Sequence, residues 1–428
     1  DYYVSVSQPP SQLEKPISPI KDFDIRQLGE TVPEAIAGNN IIQTTQAAIR
    51  GGAGTIQLIT LPPQDTVGHT IGGRIGKEVR ETLREIALAN QINIAGLELP
   101  NSIRNMNGYD YNQGVFTDDA RKRSLTEVRD AIKFVGDVMS GGDIDIISWE
   151  FPRAVNDAEW NKKSGNLFER ESENERIAFL VDTRSGRTAR VQKDDKQFLP
   201  VDPDTFEHYS ESQLDPESPD YEQLKPFNWQ KFEEWAEYNK KKNKEEGLSV
   251  ERPETAEELY VNMQLKAQMD QLKNSKIRAE EFAHDNLKQI KQIDKRLNDR
   301  DEELSDENKK ELERTRIRLV SHRKDYLESA AANEQNMKDL EERRKSYKPL
   351  HEYGVNLSAK TYAEAGIAAL RETEIVKERD PIRARPLTVG PEIGWPDYYG
   401  GHPEEFKELI LKSREKMADL MTSKEKKD

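Results

Sequence analysis

Four short apolar runs, each tied to a segment of helical period, restrict this chain more than any other feature. The runs are "TIQLITL" (55–61), "INIAGLEL" (92–99), "DIDIISWEF" (143–151) and "LTVGPE" (387–392). Short apolar runs bounded by loops mark buried strands. The helical segments are 77–90, with Val79, Leu83, Ile86 and Ala87 on one face, and 118–139, with Leu125, Val128, Ile132 and Val135. Two more span 359–377 and 404–421. Strand alternating with helix on this spacing predicts a parallel α/β sheet, built as a barrel or as a doubly wound layer. A further helical stretch is expected over 33–50, and the Pro-, Ser- and Gln-rich residues 1–32 read as an irregular arm.

The alternation breaks between the third and fourth runs. "RIAFLVDTRSGRTARVQ" (176–192) reads as a β-hairpin about a turn at 182–186. An acidic linker (203–222) leads to "FNWQKFEEWAEY" and a long polar helical region. Its second arm carries Leu312, Leu319, Tyr326, Asn333, Leu340 and Tyr347, seven residues apart. Its first arm carries Leu265, Met269, Leu272, Leu287, Ile290, Ile293 and Leu297. This pattern predicts an antiparallel helical hairpin, a coiled coil with arms of roughly 65 Å. The expected fold is therefore α/β: a partial, half TIM-barrel-like βα repeat interrupted by a β-hairpin and a long helical hairpin. The expected parts are an arm (1–32), a first barrel-like part (33–155), an insertion (156–225), the helical hairpin (226–350) and a second barrel-like part (351–428).

Composition narrows the function classes. Charged residues make up 34% of the chain, as many as the hydrophobic ones, so much of it must lie outside a compact core. The net charge of −15 makes a nucleic-acid partner unexpected, since phosphate binding needs concentrated Lys and Arg. The absence of cysteine excludes disulfides and thiolate metal sites and fits a cytoplasmic setting. No run approaches the ~18 apolar residues of a membrane span, and no signal-peptide pattern opens the chain.

Three strand runs end at or near a carboxylate: Glu98 in "GLELP", Glu150 in "SWEFP" and Glu392 in "GPEIG". On one rim of a parallel barrel, three carboxylates could hold a hard divalent cation such as Mg²⁺ or Mn²⁺. They could equally cap loops or pair with Arg104, Arg153 or Arg385. His402, in "GGHPEE", is placed to cap a helix that opens with Pro403, and proton transfer is its second reading. His69, in the loop after the first run, could reach the same rim. "GHTIGGRIGKE" (68–78) lies where a phosphate loop would, but its spacing fails that motif, leaving Gly72, Gly73 and Gly76 as weak anion-binding candidates. Arg379, Arg383 and Arg385 form a small basic cluster that could meet an anionic substrate.

The strands "INIAGLELP", "IDIISWEFP" and "LTVGPEIGWPDYYGGHPEEFKELI" resemble the first half of the xylose-isomerase-like TIM barrels, a superfamily of sugar-phosphate isomerases, epimerases and endonuclease-IV-like nucleases. The resemblance covers about 200 residues. It implies Glu392 as a metal ligand, with Glu150 and Glu98 beside it, a divalent cofactor (Mg, Mn or Zn), and His402 or His69 moving protons. The family's early-strand His ligands are missing here, where Glu98 and Trp149-Glu150 stand. A closed barrel needs eight βα units and four are read. The barrel is then expected to be completed by residues beyond Asp428 or by a partner chain. Two functions follow: a metal-dependent isomerase or epimerase of sugars or sugar phosphates, or a non-catalytic protein whose helical hairpin binds a partner chain.

Overall fold

The computed structural model describes residues 28–35, 38–61, 71, 75–100, 103, 105–246, 252–299, 305–394 and 396–422. In chain order the first elements are β1 (Gly29–Pro33), α1 (Ile41–Arg50), β2 (Thr55–Ile59), α2 (Lys77–Ala89), β3 (Asn93–Glu98), β4 (Tyr109–Asp110), β5 (Val115–Phe116), α3 (Asp118–Met139) and β6 (Gly142–Ser148). Then come α4 (Glu159–Lys163), β7 (Ile177–Asp182), β8 (Arg187–Gln192), β9 (Gln197–Leu199), α5 (Glu211–Leu214), β10 (Lys225–Phe227) and α6 (Trp229–Glu246). The last are α7 (Ala256–Asn298), α8 (Asp306–Ser346), β11 (Tyr347–Pro349), α9 (Leu350–Arg379), β12 (Leu387–Ile393) and α10 (Pro403–Leu420). They divide into two compact units. One comprises Asp1–Tyr109, Thr117–Pro152 and Val355–Asp428, the other Asp110–Phe116 and Arg153–Gly354.

The first unit is a five-stranded sheet in the order β1-β2-β3-β6-β12, with every pair parallel. Strands adjacent in the sheet follow one another in the chain, with no reversal of direction. Right-handed crossovers without a reversal place every helix on the same face. The helices accordingly pack side by side: α1 on α2 and α2 on α3. Arg121 of α3 reaches Thr361 and Glu364 of α9. Gly366 of α9 lies against the Met417 sulfur of α10, so close that a Cβ would meet it at 3.0 Å. Under this layer lie Ile56, Leu58, Ile94, Leu97, Ile144 and Ile146, all buried. Helix starts are fixed locally. Asn40 and Gln43 form a reciprocal capping box on α1, and Thr117 caps α3 ahead of Asp118 and Asp119.

One expectation needs correction here. Residues 29–33 are a strand, not the end of an irregular arm, so the sheet has five strands rather than four. Among the described residues, the sheet ends at β1 and β12 and does not close into a ring.

The second unit has its own core. An antiparallel sheet runs β11-β7-β8-β5-β4, with β7 and β8 joined by the expected turn. That turn needs Gly186: its φ is +70° and a Cβ would meet Phe116 O at 2.2 Å. A small β9–β10 pair and α6 pack with this sheet against the start of α7. Leu180, Val201, Phe227, Phe232, Trp235, Leu259 and Tyr260 fill the space between them. Beyond this base, α7 and α8 run antiparallel. Lys276 pairs with Glu334 at 3.0 Å, Phe282 stacks on Tyr326 at 5.3 Å and Asp294 meets Arg316 at 2.6 Å. One register therefore holds along both arms. No helix among the described residues is long and apolar enough to cross a membrane.

Candidate functional site: the acidic face of the parallel sheet

The sheet face opposite the helices carries the polar positions of each strand. Register sets them side by side. Gln57 of β2 is level with Gly96, and Glu98 of β3 is level with Asp145 of β6. Thr388 of β12 is level with Asp143, and Glu392 is level with Ile147, two residues along from Asp145. In-register side chains of neighbouring strands share a face. Three adjacent strands thus present Glu98, Asp143, Asp145 and Glu392 together, with Glu98 and Glu392 near the C-terminal ends.

Their charges act on one another. Partial burial raises the Glu98 pKa above its ordinary value, and the negative charges of Glu392 and Asp145 raise it further. Asp145 is raised by burial and by the charges of Asp143 and Glu392, while a hydrogen bond from Gln57 Nε2 (3.1 Å) opposes the shift. Thr388 Oγ1 donates to Asp143. Glu392 is exposed.

Glu150 does not join this group. It is fully buried, and its carboxylate accepts from Met106 N (3.1 Å), Asn107 Nδ2 (2.9 Å) and Ser358 Oγ (2.7 Å). These donors come from the loop after β3 and from α9. Glu150 therefore ties loop to helix inside the core. The expected ligand set of Glu98, Glu150 and Glu392 is not gathered round one point. Among the described residues, no three His, Asp or Glu side chains are placed to hold a metal ion. The oxygen donors on the open face suit a hard divalent cation in kind, but not in arrangement.

The aromatic, glycine-rich stretch after β12 also has a structural account. Phe151 stacks on Tyr399 (4.9 Å) and Trp149 on Tyr398 (6.2 Å). Glu150 N donates to Tyr399 O and Tyr399 N donates to Phe151 O, at 3.1 and 2.9 Å. The two segments form an antiparallel clasp that joins the ends of β6 and β12. Gly400 N donates to the buried carboxylate of Glu405 (3.0 Å), not to Glu392. His402 caps α10: its Nδ1 accepts from Glu404 N at 3.2 Å. His69, Gly72 and Gly73 lie outside the described residues. Gly76 stands at the N-cap of α2.

The basic cluster is largely spent on the fold. Arg385 donates to Ile94 O and Gly141 O, and Arg379 donates to Gly136 O and pairs with Asp137. The second unit has a cleft of about 1030 Å³ lined by Trp235, Tyr238 and many charges. Its charges answer one another: Arg252 pairs with Glu246 and Lys348 with Glu258. Sequence reading passed over Asp143 and Asp145. Their signal was the strict alternation in "DIDII", a half-open strand treated as a fully buried one.

Comparison with protein-family models, with curated proteins and with solved structures gives no match. The functional reading therefore rests on the residues of the site.

Proposed function

We propose that the α/β unit is a barrel-type enzyme that moves protons on a polar, sugar-like substrate, in the manner of an isomerase or epimerase. One observation carries this reading. Glu98, Asp145 and Glu392 share the helix-free face of three adjacent parallel strands, and two of them have raised pKa values. Consecutive parallel strands with all helices on one side are the arrangement of a barrel segment, where chemistry sits at strand C-terminal ends. A carboxyl whose surroundings raise its pKa is suited to give a proton beside a solvent-exposed carboxylate that can take one. Glu98, which keeps its proton to higher pH, is the acid, and the exposed Glu392 is the base. Burial and the like charges of Glu392 and Asp145 favour the protonated form of Glu98. Trp149 and Tyr398, stacked just past the end of β6, offer an aromatic surface for a sugar ring. The described donors do not converge on a metal, so no step is assigned to one.

Exchange of substrate C–H for solvent deuterium, followed by NMR over a panel of aldoses, ketoses and their phosphates, tests the reading. Exchange with one substrate class should be lost in both Glu98→Gln and Glu392→Gln. If no panel member exchanges, with or without added Mn²⁺ or Mg²⁺, the enzyme reading fails for this chain.

A further inference from the structure

Two donors in the seam of the helical hairpin go unanswered by the chain around them. Among the described residues, Asn286 Nδ2 and Arg323 Nε are buried and have no acceptor. The Phe282–Tyr326 stack and the Asp294–Arg316 pair fix the antiparallel register on either side of them. That register sets Asn286 of α7 and Arg323 of α8 at one level of the seam. The neighbouring layers are apolar: Phe282, Ala283 and Tyr326 toward the base, Ile290 and Leu319 toward the tip. The nearby carboxylates are engaged or turned away. Asp285 pairs with Lys288 at 3.1 Å, and Asp294 with Arg316 at 2.6 Å. Asp325 is exposed and stands two residues from Arg323, about 200° round the helix. A buried donor left unmet in this way is costly.

The surrounding charge points the same way. At this height α7 contributes residues 286–296 and α8 residues 314–324. Together they hold nine Lys or Arg and one Asp, in a chain whose net charge is −15. Lys288, Arg316 and Lys324 have carboxylate partners. Lys291, Lys295, Arg314, Arg318 and Arg323 form no ion pair among the described residues. Lys291 and Lys295 are four apart, as are Arg314 and Arg318, a spacing at which like charges repel along a helix. We propose that a chloride ion sits in the seam between Asn286 and Arg323 and accepts from Nδ2 and Nε together. The ion answers both donors and lowers the repulsion among the cations around it. A monatomic anion is served by few donors. Sulfate or phosphate would bring several oxygens into a level bounded by apolar side chains, where they would stay unmet. The chloride thus ties α7 to α8 in the stretch where the seam is small and polar, with Ala279, Ala283 and Ala330.

Thermal melts of the full chain by circular dichroism, in sodium chloride against sodium gluconate at equal ionic strength, test this. Gluconate is too large to enter the seam. The wild-type midpoint should rise by a few degrees as chloride replaces gluconate, because a ligand that binds only the folded chain stabilises it. Asn286→Leu with Arg323→Leu fills the level with apolar side chains. Its midpoint should be indifferent to the exchange of anions. In gluconate it should lie above that of the wild type, and chloride should narrow the gap by raising the wild type alone. Chlorine-35 NMR reads the ion directly: the wild type should broaden the chloride line more than the leucine pair does. A wild type indifferent to chloride, a leucine pair that follows chloride as the wild type does, or equal broadening by both chains each overturns the proposal. So does a leucine pair that melts below the wild type in gluconate while chloride changes neither. That result would mean that the Asn286 amide is turned, with Oδ1 accepting from Arg323 Nε, and that the two side chains answer each other without an ion.

Discussion

Two carboxylates a few residues apart in kind of position, Glu98 and Glu150, end in opposite environments, and the difference decides what each can do. Glu150 accepts from at least three donors and sees no solvent. Glu150→Gln turns one acceptor oxygen into a donor that faces N–H and O–H groups, and should cost about 1–3 kcal/mol in urea unfolding. Nearby, the buried Tyr362 hydroxyl has no hydrogen-bond partner among the described residues, so Tyr362→Phe should leave stability unchanged or slightly higher. Glu98 behaves differently. Folding raises its pKa, so the folded chain holds that proton more tightly than the unfolded chain. The resulting stabilisation is full below the unfolded value, near 4.5, and is lost as pH rises through the folded value. Asp145 adds in the same direction. Glu98→Gln removes the charge at all pH. Its unfolding free energy should exceed the wild type's near neutral pH, by under ~1 kcal/mol because the site is partly solvated, and match it in acid. A variant less stable than wild type at neutral pH would mean that Glu98 makes a favourable contact there. Both carboxylates were visible in the sequence as strand-end residues. Their separation was not, because it depends on donors from a loop and from α9, more than two hundred positions away.

At the scale of elements, periodicity found what is apolar and missed what is amphipathic. The seven-residue series from Leu312 to Leu340 is half of the α8 seam, and the series is half-buried as a seam should be. The other half is Arg316, Arg323, Ala330, Met337 and Arg344, also buried or half-buried. Arginine stems pack in a seam while their heads reach outward, so a hydrophobic count passes over them. Strand β1 escaped for a related reason: "GETVP" has one buried residue, Val32, and is recognisable only by its partner β2. The seam also has a weak point. Among the described residues, Arg323 Nε and Asn286 Nδ2 are buried without an acceptor, at nearly the same height in the hairpin. Replacing both by leucine should raise the thermal midpoint of the helical signal, since it removes two unmet donors and adds apolar contact. If the midpoint falls, the polar pair is fixing the register of the arms, and a shifted register should then appear in cross-links between them.

The whole molecule is one chain threaded through two cores, and the core of the second unit lies within a single stretch. The buried residues of its aromatic-based cluster fall between Ala178 and Leu265, with Leu340 and Tyr347 packed against them. The short excursion 110–116 adds edge pairing, with Val115 beside Arg187 and the bonds from Phe116 N to Gly186 O and from Thr188 N to Gly114 O, and one buried ring, Phe116, edge-on to Tyr353 at 5.2 Å. Residues 153–354 expressed alone should therefore fold with a cooperative melt and a near-ultraviolet signal from Trp229 and Trp235. Residues 250–350, the helical arms without their base, should not behave the same way. In the intact unit, Leu259, Tyr260 and Met263 of α7 are buried by Phe227, Phe232 and Trp235, which this shorter piece lacks. Exposing several large apolar side chains costs on the order of 1.5–3 kcal/mol each. The small and polar middle of the seam, with Ala279, Ala283 and Ala330, has little to set against that loss. The shorter piece should show helix that melts broadly and at lower temperature. A sharp melt for 250–350 equal to that of 153–354 would show that the arms, and not the aromatic base, hold the second unit together. Random coil for 153–354 would show instead that the edge strand at 110–116 is required for folding.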